Sequence, residues 1–137
     1  MRTQFEGFVI SSCYMGTKES RWGTDESQHH KINVQYNGSK VVSFDFWTSK
    51  AEPHIKTKEQ LLSAFACLLS EAQIGRDYNL DEMAEEFGYM HSGMKLSEII
   101  DIHEDLVDMF IKIDHIVDGD WDAVDRAYER LSEEGLT

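Results

Sequence analysis

Four carboxylates recur at helical spacing in the segment KLSEIIDIHEDLVDMFIK, which carries the strongest chemical pattern in this sequence. Glu98, Asp101, Asp105 and Asp108 fall at positions i, i+3, i+7 and i+10. A helix that turns about 100° per residue gathers them within an arc of about 80°. Neighbours on such a face lie roughly 5–6 Å apart, close to the spacing of phosphates along a nucleic-acid strand. The pattern is typical of a solvated helix face, or of a surface that occupies a basic groove in place of nucleic acid.

A second acidic group follows in the segment DGDWDAVDRAYE. The carboxylates at positions 1, 3, 5 and 12 of a possible calcium-binding loop are Asp118, Asp120, Asp122 and Glu129. Ala123 stands where such a loop requires glycine, and the apolar residues of the segment recur at helical spacing, which would hold the carboxylates apart. We therefore expect no metal site here. The residues expected to extend the acidic face are Asp118, Asp120, Asp122 and Asp125.

The histidines and cysteines form no convincing catalytic or metal-binding pattern. His29 and His30 are adjacent, so on a strand they would point to opposite faces. Cys13 and Cys67 are too few for a disulfide framework, and we expect reduced thiols. The sequence contains no phosphate-binding loop and no dinucleotide fingerprint. No catalytic residue, metal or cofactor is therefore assigned, and the protein is not expected to be an enzyme.

The net charge of −13 lies entirely in the second part of the chain. Nine acidic and nine basic residues balance from Met1 to Tyr78, whereas seventeen acidic and four basic residues follow from Asn79 to Thr137. One end of the folded molecule should therefore carry a strong negative potential. Such a charge, without a basic patch that interleaves aromatic residues, disfavours direct binding to nucleic acid.

The length of 137 residues and the hydrophobic content of 41% suit a single domain with one core, over residues 1–137. Residues 1–50 are expected to be mainly β and residues 57–137 mainly α, with the acidic part beginning at residue 79. No apolar run approaches the roughly 20 residues that a membrane span needs. The N-terminus is a poor signal peptide. These features predict a cytoplasmic protein that does not bind membranes.

The N-terminal part of the chain predicts three strands. Gln4 to Met15 alternates loosely and predicts the first strand, and the polar stretch from Gly16 to Gln28 predicts a loop in which Trp22 packs. The next two strands form a hairpin around the sequence YNGS. Phe44 and Phe46 on its second strand are expected in the core, with Trp47 covering the helix that follows.

The hairpin permits two registers. A two-residue turn would pair Tyr36 with Ser39, and it would split the apolar residues between the two faces. A three-residue loop that ends at a left-handed Gly38 would pair Ile32 with Val42. The apolar side chains that then share a face are Ile32, Val34, Val42, Phe44 and Phe46. We favour this second register because one buried face is what fixes strand pairing.

Four helices are expected after the sheet. The first begins at a capping box formed by Thr57 and Gln60 and ends at Gly75. A short helix spans about residues 80–87 and stops at Gly88. The third runs from about residue 94 to 117, with apolar positions at Leu96, Ile99, Ile102, Leu106, Phe110 and Ile113.

The turn at Asp118 and Gly119 should end the third helix, and Asp120 should cap the last one. The total is an α+β domain, a three-stranded antiparallel sheet followed by about four helices packed on it.

The motifs from about Ile32 to Phe110 can be written as FDFW, KT-x-x-x-LL-x-AF-x-C-x-LS-x-A and EFGY. The residues are Phe44-Asp45-Phe46-Trp47, Lys56-Thr57, Leu61-Leu62, Ala64-Phe65, Cys67, Leu69-Ser70, Ala72 and Glu86-Phe87-Gly88-Tyr89. This part, roughly half of the chain, resembles a group of short, mostly uncharacterised proteins of bacteriophages and mobile elements. The resemblance implies a phage-like setting, with an anti-CRISPR protein as the concrete candidate. The related chains tend to end on a basic helix, whereas this chain ends on acidic ones.

Charge and resemblance together favour an inhibitor of a host defence nucleoprotein complex, for example a CRISPR effector, in the cytoplasm of an infected cell. Its acidic helical face would mimic DNA and bind the basic surface of that complex. The alternative is a small phage structural or adaptor protein that acts through self-association, for example as a homodimer, or through assembly with other proteins. The broad apolar face of the third predicted helix supports that alternative.

Overall fold

A computed structural model describes residues 1–19, 26–49, 54–77 and 96–137, and for residues 96–103 it describes the backbone. In this part of the chain four strands precede three helices. The strands are β1 (Arg2–Phe5), β2 (Phe8–Glu19), β3 (Glu26–Tyr36) and β4 (Val42–Ser49). The helices are α1 (Lys58–Asp77), α2 (Leu96–Val117) and α3 (Trp121–Glu133). The predicted α+β class is confirmed, whereas the predicted count of three strands is wrong. The short helix predicted near residues 80–87 lies outside the described residues.

The sheet is an antiparallel meander in the order β1-β2-β3-β4. The segment predicted as one strand contains two, because Glu6 and Gly7 both take positive φ (48° and 86°) and reverse the chain between Phe5 and Phe8. Only glycine fits at the second turn position, since a Cβ on Gly7 would lie 2.9 Å from a ring carbon of Tyr36. The tight turn was missed because Glu-Gly is a weaker turn signal than Asn-Gly.

Strands β2 and β3 also run through most of the region predicted as a loop. They pair as far as Glu19 with Glu26, with a bulge between Tyr14 and Gly16. The prediction of a loop is therefore wrong for residues 16–19 and 26–28, because pairing with a neighbouring strand overrides polar composition here. Residues 20–25 lie outside the described residues. Trp22 lies outside the described residues.

The β3–β4 hairpin combines features of both predicted registers. Asn37 and Gly38 take positive φ (44° and 79°), and the Ser39 amide donates to the Tyr36 carbonyl at 2.9 Å, as in a two-residue turn. Val34 nevertheless pairs with Val42, so the chain holds one extra residue between the turn and β4. That residue returns the apolar side chains of both strands to one face.

The favoured register is therefore wrong by two residues, with Ile32 opposite Phe44 rather than Val42. The predicted shared face survives, since a shift of two residues preserves side-chain alternation. Ile32, Val34 and Phe44 are buried, and Val42 and Phe46 pack against the same core.

Helix α1 begins as predicted. The Gln60 amide donates to Thr57 Oγ1 at 3.1 Å, and the Thr57 amide donates to Gln60 Oε1 at 3.0 Å, which is a reciprocal capping box. The helix packs on the sheet through Phe65, whose ring centroid lies 5.2 Å from that of Phe8.

Gly75 does not end α1, which continues to Asp77. A Cβ at Gly75 would lie 2.3 Å from the Leu106 carbonyl oxygen on α2. The glycine therefore permits close approach of two helix backbones, and its predicted role as a helix stop is wrong. Packing on α2 favours the observed continuation.

Helices α2 and α3 meet at the predicted break, where Asp118 and Gly119 take positive φ (52° and 79°). Asp120 occupies the N-cap position of α3, although its side chain makes no capping hydrogen bond. The α2 and α3 side chains that join the main core are Met109, Ile113, Ile116, Val117, Val124, Ala127 and Leu131. Across the described part of the chain, no helix combines the length and the apolar character that a membrane crossing requires.

Candidate functional site

The acidic face of α2 is described from Asp105 onward. Glu98 and Asp101 lie on α2, but their side chains fall outside the described residues. Asp105 is half-buried, and Asp108 is exposed. Asp108 forms an ion pair with Lys112 at 3.1 Å, and Lys112 also donates to the Ser43 carbonyl of β4 at 3.0 Å. Part of the predicted acidic face is therefore neutralised within the molecule.

Asp105 also acts on α1. Burial raises the pKa of the Glu71 carboxyl above its ordinary value, and the negative charge of Asp105 adds to that increase. The pKa of the Cys67 thiol is raised first by burial and then by Glu71. A low-pKa nucleophile is therefore not formed at Cys67.

Three exposed carboxylates cluster where α2 turns into α3. Asp118 lies in the turn, Asp120 is at the N-cap position and Asp122 is in the first turn of α3. We call these three residues the acidic corner. No cation of the described residues forms an ion pair with them. The partial positive charge at the N-terminus of α3 offsets part of their mutual repulsion.

Asp125, by contrast, is committed to an internal contact. Arg76 of α1 donates from Nη1 to Asp125 at 2.9 Å, and Gln73 donates to the same carboxylate at 2.9 Å. Arg76 also binds Asp77 and lies over the Trp121 ring, 5.1 Å from its centroid. The hydrogen bond to Asp77 and the contact with Asp125 raise the pKa of Arg76 despite partial desolvation. Asp125 therefore holds α3 on α1.

The structure thus divides the predicted acidic residues into separate groups. Asp108 and Asp118 are ten residues apart on and after α2, or about 15 Å along a helix axis. Asp114, between them in sequence, accepts a hydrogen bond from Trp121 Nε1 at 2.8 Å. The acidic corner is the described group that stays exposed and free of internal ion pairs.

A polar group that sequence reasoning missed lies on the sheet face opposite the helices. His29 is buried, its Nε2 lies 2.7 Å from Asp45 Oδ1, and its ring stacks on Trp47 with centroids 4.4 Å apart. Trp47 therefore covers His29 and not the helix, which corrects the prediction for this residue. Strand alternation already placed His29, Asp45 and Trp47 on one face, and that was the available signal.

A second missed group, which we call the histidine cluster, consists of Tyr14, His30 and His54. His54 stacks on Tyr14 with ring centroids 3.8 Å apart, and His30 lies 5.4 Å from Tyr14 and 6.2 Å from His54. His30 is only 1% exposed. Nδ1 of His30 has no hydrogen-bond partner among the described residues.

Neither group has the composition of a metal centre. Among the described residues, no three side chains of histidine, cysteine, aspartate or glutamate are arranged to hold a metal ion. An open cleft of about 490 Å³ lies elsewhere, between β1, the start of α1 and the end of α3. Its lining includes Lys58, Glu59 and Arg130 but no histidine or cysteine.

Comparison with known protein families finds no match to this chain, and comparison with curated proteins finds none either.

Proposed function

We propose that this protein inhibits a host defence nucleoprotein complex, as an anti-CRISPR protein does, by binding a basic nucleic-acid-binding surface. The observation that supports this function is the exposed acidic corner within a segment that carries the entire net charge of −13. The residues proposed to contact the partner are Glu98, Asp101, Asp105, Asp108, Asp118, Asp120, Asp122 and Asp125. The acidic corner is the proposed centre of this surface.

Electrostatics gives the proposed complex its main properties. Exposed carboxylates attract a basic groove over a distance of about 10 Å at 0.1 M salt, so association should be fast and sensitive to salt. Arginine side chains of the partner would form charge-assisted hydrogen bonds to the exposed carboxylates of the acidic corner. The inhibitor would act by occupying the surface, with no catalytic step and no cofactor. It would work in the cytoplasm of the infected cell.

Two triple variants with the same change in charge test the acidic corner. Asp118, Asp120 and Asp122 are changed to Asn, which keeps side-chain shape and tolerates the positive φ at position 118. In the matched control, Glu129, Glu133 and Glu134, exposed on the other end of α3, are changed to Gln. Each triple variant removes three negative charges, and the control also removes a long ion pair between Glu133 and Arg130 at 4.0 Å.

The assay is phage plating on bacterial strains that each carry one defined CRISPR system. Expression of the wild-type protein should restore plating in at least one strain. The Asn variant should weaken binding to that purified effector roughly 10- to 100-fold, because each exposed charge pair contributes up to about 1 kcal/mol. The Gln control should change binding less than about threefold.

Three results would contradict the proposal. Plating unchanged in every strain would exclude an anti-CRISPR function. Equal effects of the two triple variants would show that net charge, and not the acidic corner, governs binding. Binding that a DNA duplex does not compete, or that persists at high salt, would exclude mimicry of nucleic acid. Lys substitutions at Asp101, Asp105 and Asp108 test the surrounding α2 residues separately.

An assembly function is favoured by a different observation. Ile111 on α2 and Ile74 on α1 are 56% and 38% exposed. Exposed apolar side chains on neighbouring helices suit a contact with a second copy or with another phage protein. A dimer with the same measured mass at low and high salt, lost in an Ile111→Asp variant, would favour this alternative.

A further inference from the structure

A hydrogen bond joins the histidine cluster to the start of α1. The Ile55 amide donates to Nε2 of His30 at 3.4 Å, across 25 residues of sequence. Ile55 lies two residues before Thr57, the N-cap of α1. His30 therefore links the middle of the sheet to the segment that positions the first helical turn.

This bond specifies the protonation state of His30. Nε2 can accept from an amide only while it carries a lone pair, so the ring must be neutral with its proton on Nδ1. A proton added to Nε2 would place the imidazole N–H of His30 against the amide N–H of Ile55. The contact would then change from attraction to repulsion.

The surroundings of His30 oppose the added charge. Burial lowers the pKa of His30 below its ordinary value of 6.5, and the neighbouring His54 and His29 lower it further. The backbone carbonyl of Gln28 acts in the opposite direction, although it forms no well-directed hydrogen bond to Nδ1.

The groups that face His30 come from each described element beside it. Tyr14 on β2 faces His30 with its ring centroid 5.4 Å away. The side chain of His29 on β3 lies on the sheet face opposite the helices, where it is bonded to Asp45 of β4. The residue of β4 paired with His30 is the uncharged Phe46. His54 lies in the segment before α1. His30 thus has two other imidazoles near it, and both lower its pKa.

We propose that His30 is a pH-operated latch, which holds residues 54–57 and the start of α1 on the sheet while neutral and releases them when protonated. The direction of the pH effect follows from the lowered pKa of His30, because the unfolded or released chain binds the proton more readily than the latched state. The latch is therefore fully closed above about pH 6.5 and opens progressively as the pH falls below that value. This device is independent of the acidic corner and of the proposed inhibitor function.

Two measurements on the wild-type protein test the latch. Nitrogen NMR of the imidazoles should find His30 at neutral pH as the Nδ1–H tautomer, with Nε2 unprotonated. Hydrogen exchange should show protection of the Ile55 amide falling at least about tenfold between about pH 7 and pH 5, after correction for intrinsic exchange. A proton on Nε2 at neutral pH, or unchanged protection of Ile55, would overturn the proposal.

Three variants identify the titrating group. His30→Gln supplies an acceptor oxygen that does not titrate, and protection of Ile55 should then be independent of pH. His115→Gln, which alters an exposed histidine at the end of α2, should behave like the wild type. His54→Phe keeps the ring stack with Tyr14 but removes a neighbour that lowers the pKa of His30, so the latched state accepts the proton more readily and the loss of Ile55 protection at low pH should become smaller. If His54→Phe instead abolishes the pH response, His54 is the latch and the proposal fails.

Discussion

The two ends of α1 are fixed to the rest of the molecule by opposite kinds of interaction. At its N-terminus the capping box and the bond from Ile55 to His30 are hydrogen bonds between uncharged groups. At its C-terminus Arg76 binds Asp77 and Asp125 beside the Trp121 ring, and Gly75 lies against α2. Hydrogen bonds between uncharged groups fix the N-terminal end of α1, and ion pairs fix its C-terminal end.

The difference follows the charge distribution along the chain. The sheet and α1 belong to the part of the sequence with balanced charge, where polar groups such as His30 can be buried neutral. The helices that meet the C-terminal end of α1 belong to the acidic part, and Arg76 of α1 supplies a cation that compensates Asp125 there. The N-terminal end should therefore respond to pH, and the C-terminal end to salt.

The largest expected effect on stability comes from a substitution that disrupts the packing of the C-terminal end of α1 against α2. In Gly75→Ala the new Cβ would lie 2.3 Å from the Leu106 carbonyl oxygen, so one helix must shift. Overpacking against a backbone should cost about 3 kcal/mol of the free energy of unfolding, more than the roughly 1 kcal/mol that alanine adds to helix propensity. Urea denaturation measures the change.

Gly135→Ala is the matched control for that variant. Gly135 has nothing within 4 Å of its Cβ position but a positive φ of 73°, so alanine there should cost about 1 kcal/mol from backbone strain alone. Equal losses for the two variants would contradict a specific contact between Gly75 and α2.

Two substitutions with effects of intermediate size, one at each end of α1, should differ in how their loss of stability depends on salt. Arg76→Gln removes the ion pair with Asp125 and the contact with Trp121, and it should cost about 1 kcal/mol at low salt. Thr57→Ala removes the neutral cap and should cost a similar amount, about 1 kcal/mol. Denaturation is measured in about 0.05 M and about 1 M NaCl. The loss of unfolding free energy in Arg76→Gln should be smaller at the higher salt concentration, whereas the loss in Thr57→Ala should be the same at both. If both losses respond alike to salt, the contrast between the ends is wrong.

Local signals in the sequence predicted the start of α1 and the break before α3. Thr57 and Gln60 lie three residues apart, and Asp118-Gly119 is a helix stop, so each feature depends on neighbours in sequence. The buried face of the hairpin was predicted for a similar reason, since alternation sorts side chains by parity whatever the register. The register itself depended on one extra residue between Gly38 and Val42, for which the sequence has no marker.

Long-range contacts escaped prediction. Gly75 resembles a helix stop, and only the position of Leu106 on another helix reveals its packing role. Asp125 resembled part of a free acidic face, and its partner Arg76 is 49 residues away. His30 appeared as an ordinary strand histidine until the fold brought His54 and Ile55 over it. Candidate sites made by contacts between distant segments therefore need the structure.

The smallest effect compares one chemical change at two points of α1. Glu71 has a pKa raised by burial and by Asp105, so its charged form disfavours the fold above its ordinary pKa of 4.5. Glu71→Gln should raise the free energy of unfolding at neutral pH by at most about 0.5 kcal/mol, since the side chain is exposed to screening water. That gain should disappear as the pH falls below about 4.5, where Glu71 is protonated in both states.

Glu59→Gln, in the first turn of α1, should instead lower the free energy of unfolding by about 0.3 kcal/mol, because it removes a favourable charge from the helix N-terminus. Thermal unfolding of both variants from about pH 4 to pH 7 tests the opposite signs, and a loss of stability at neutral pH in Glu71→Gln would contradict repulsion between Glu71 and Asp105.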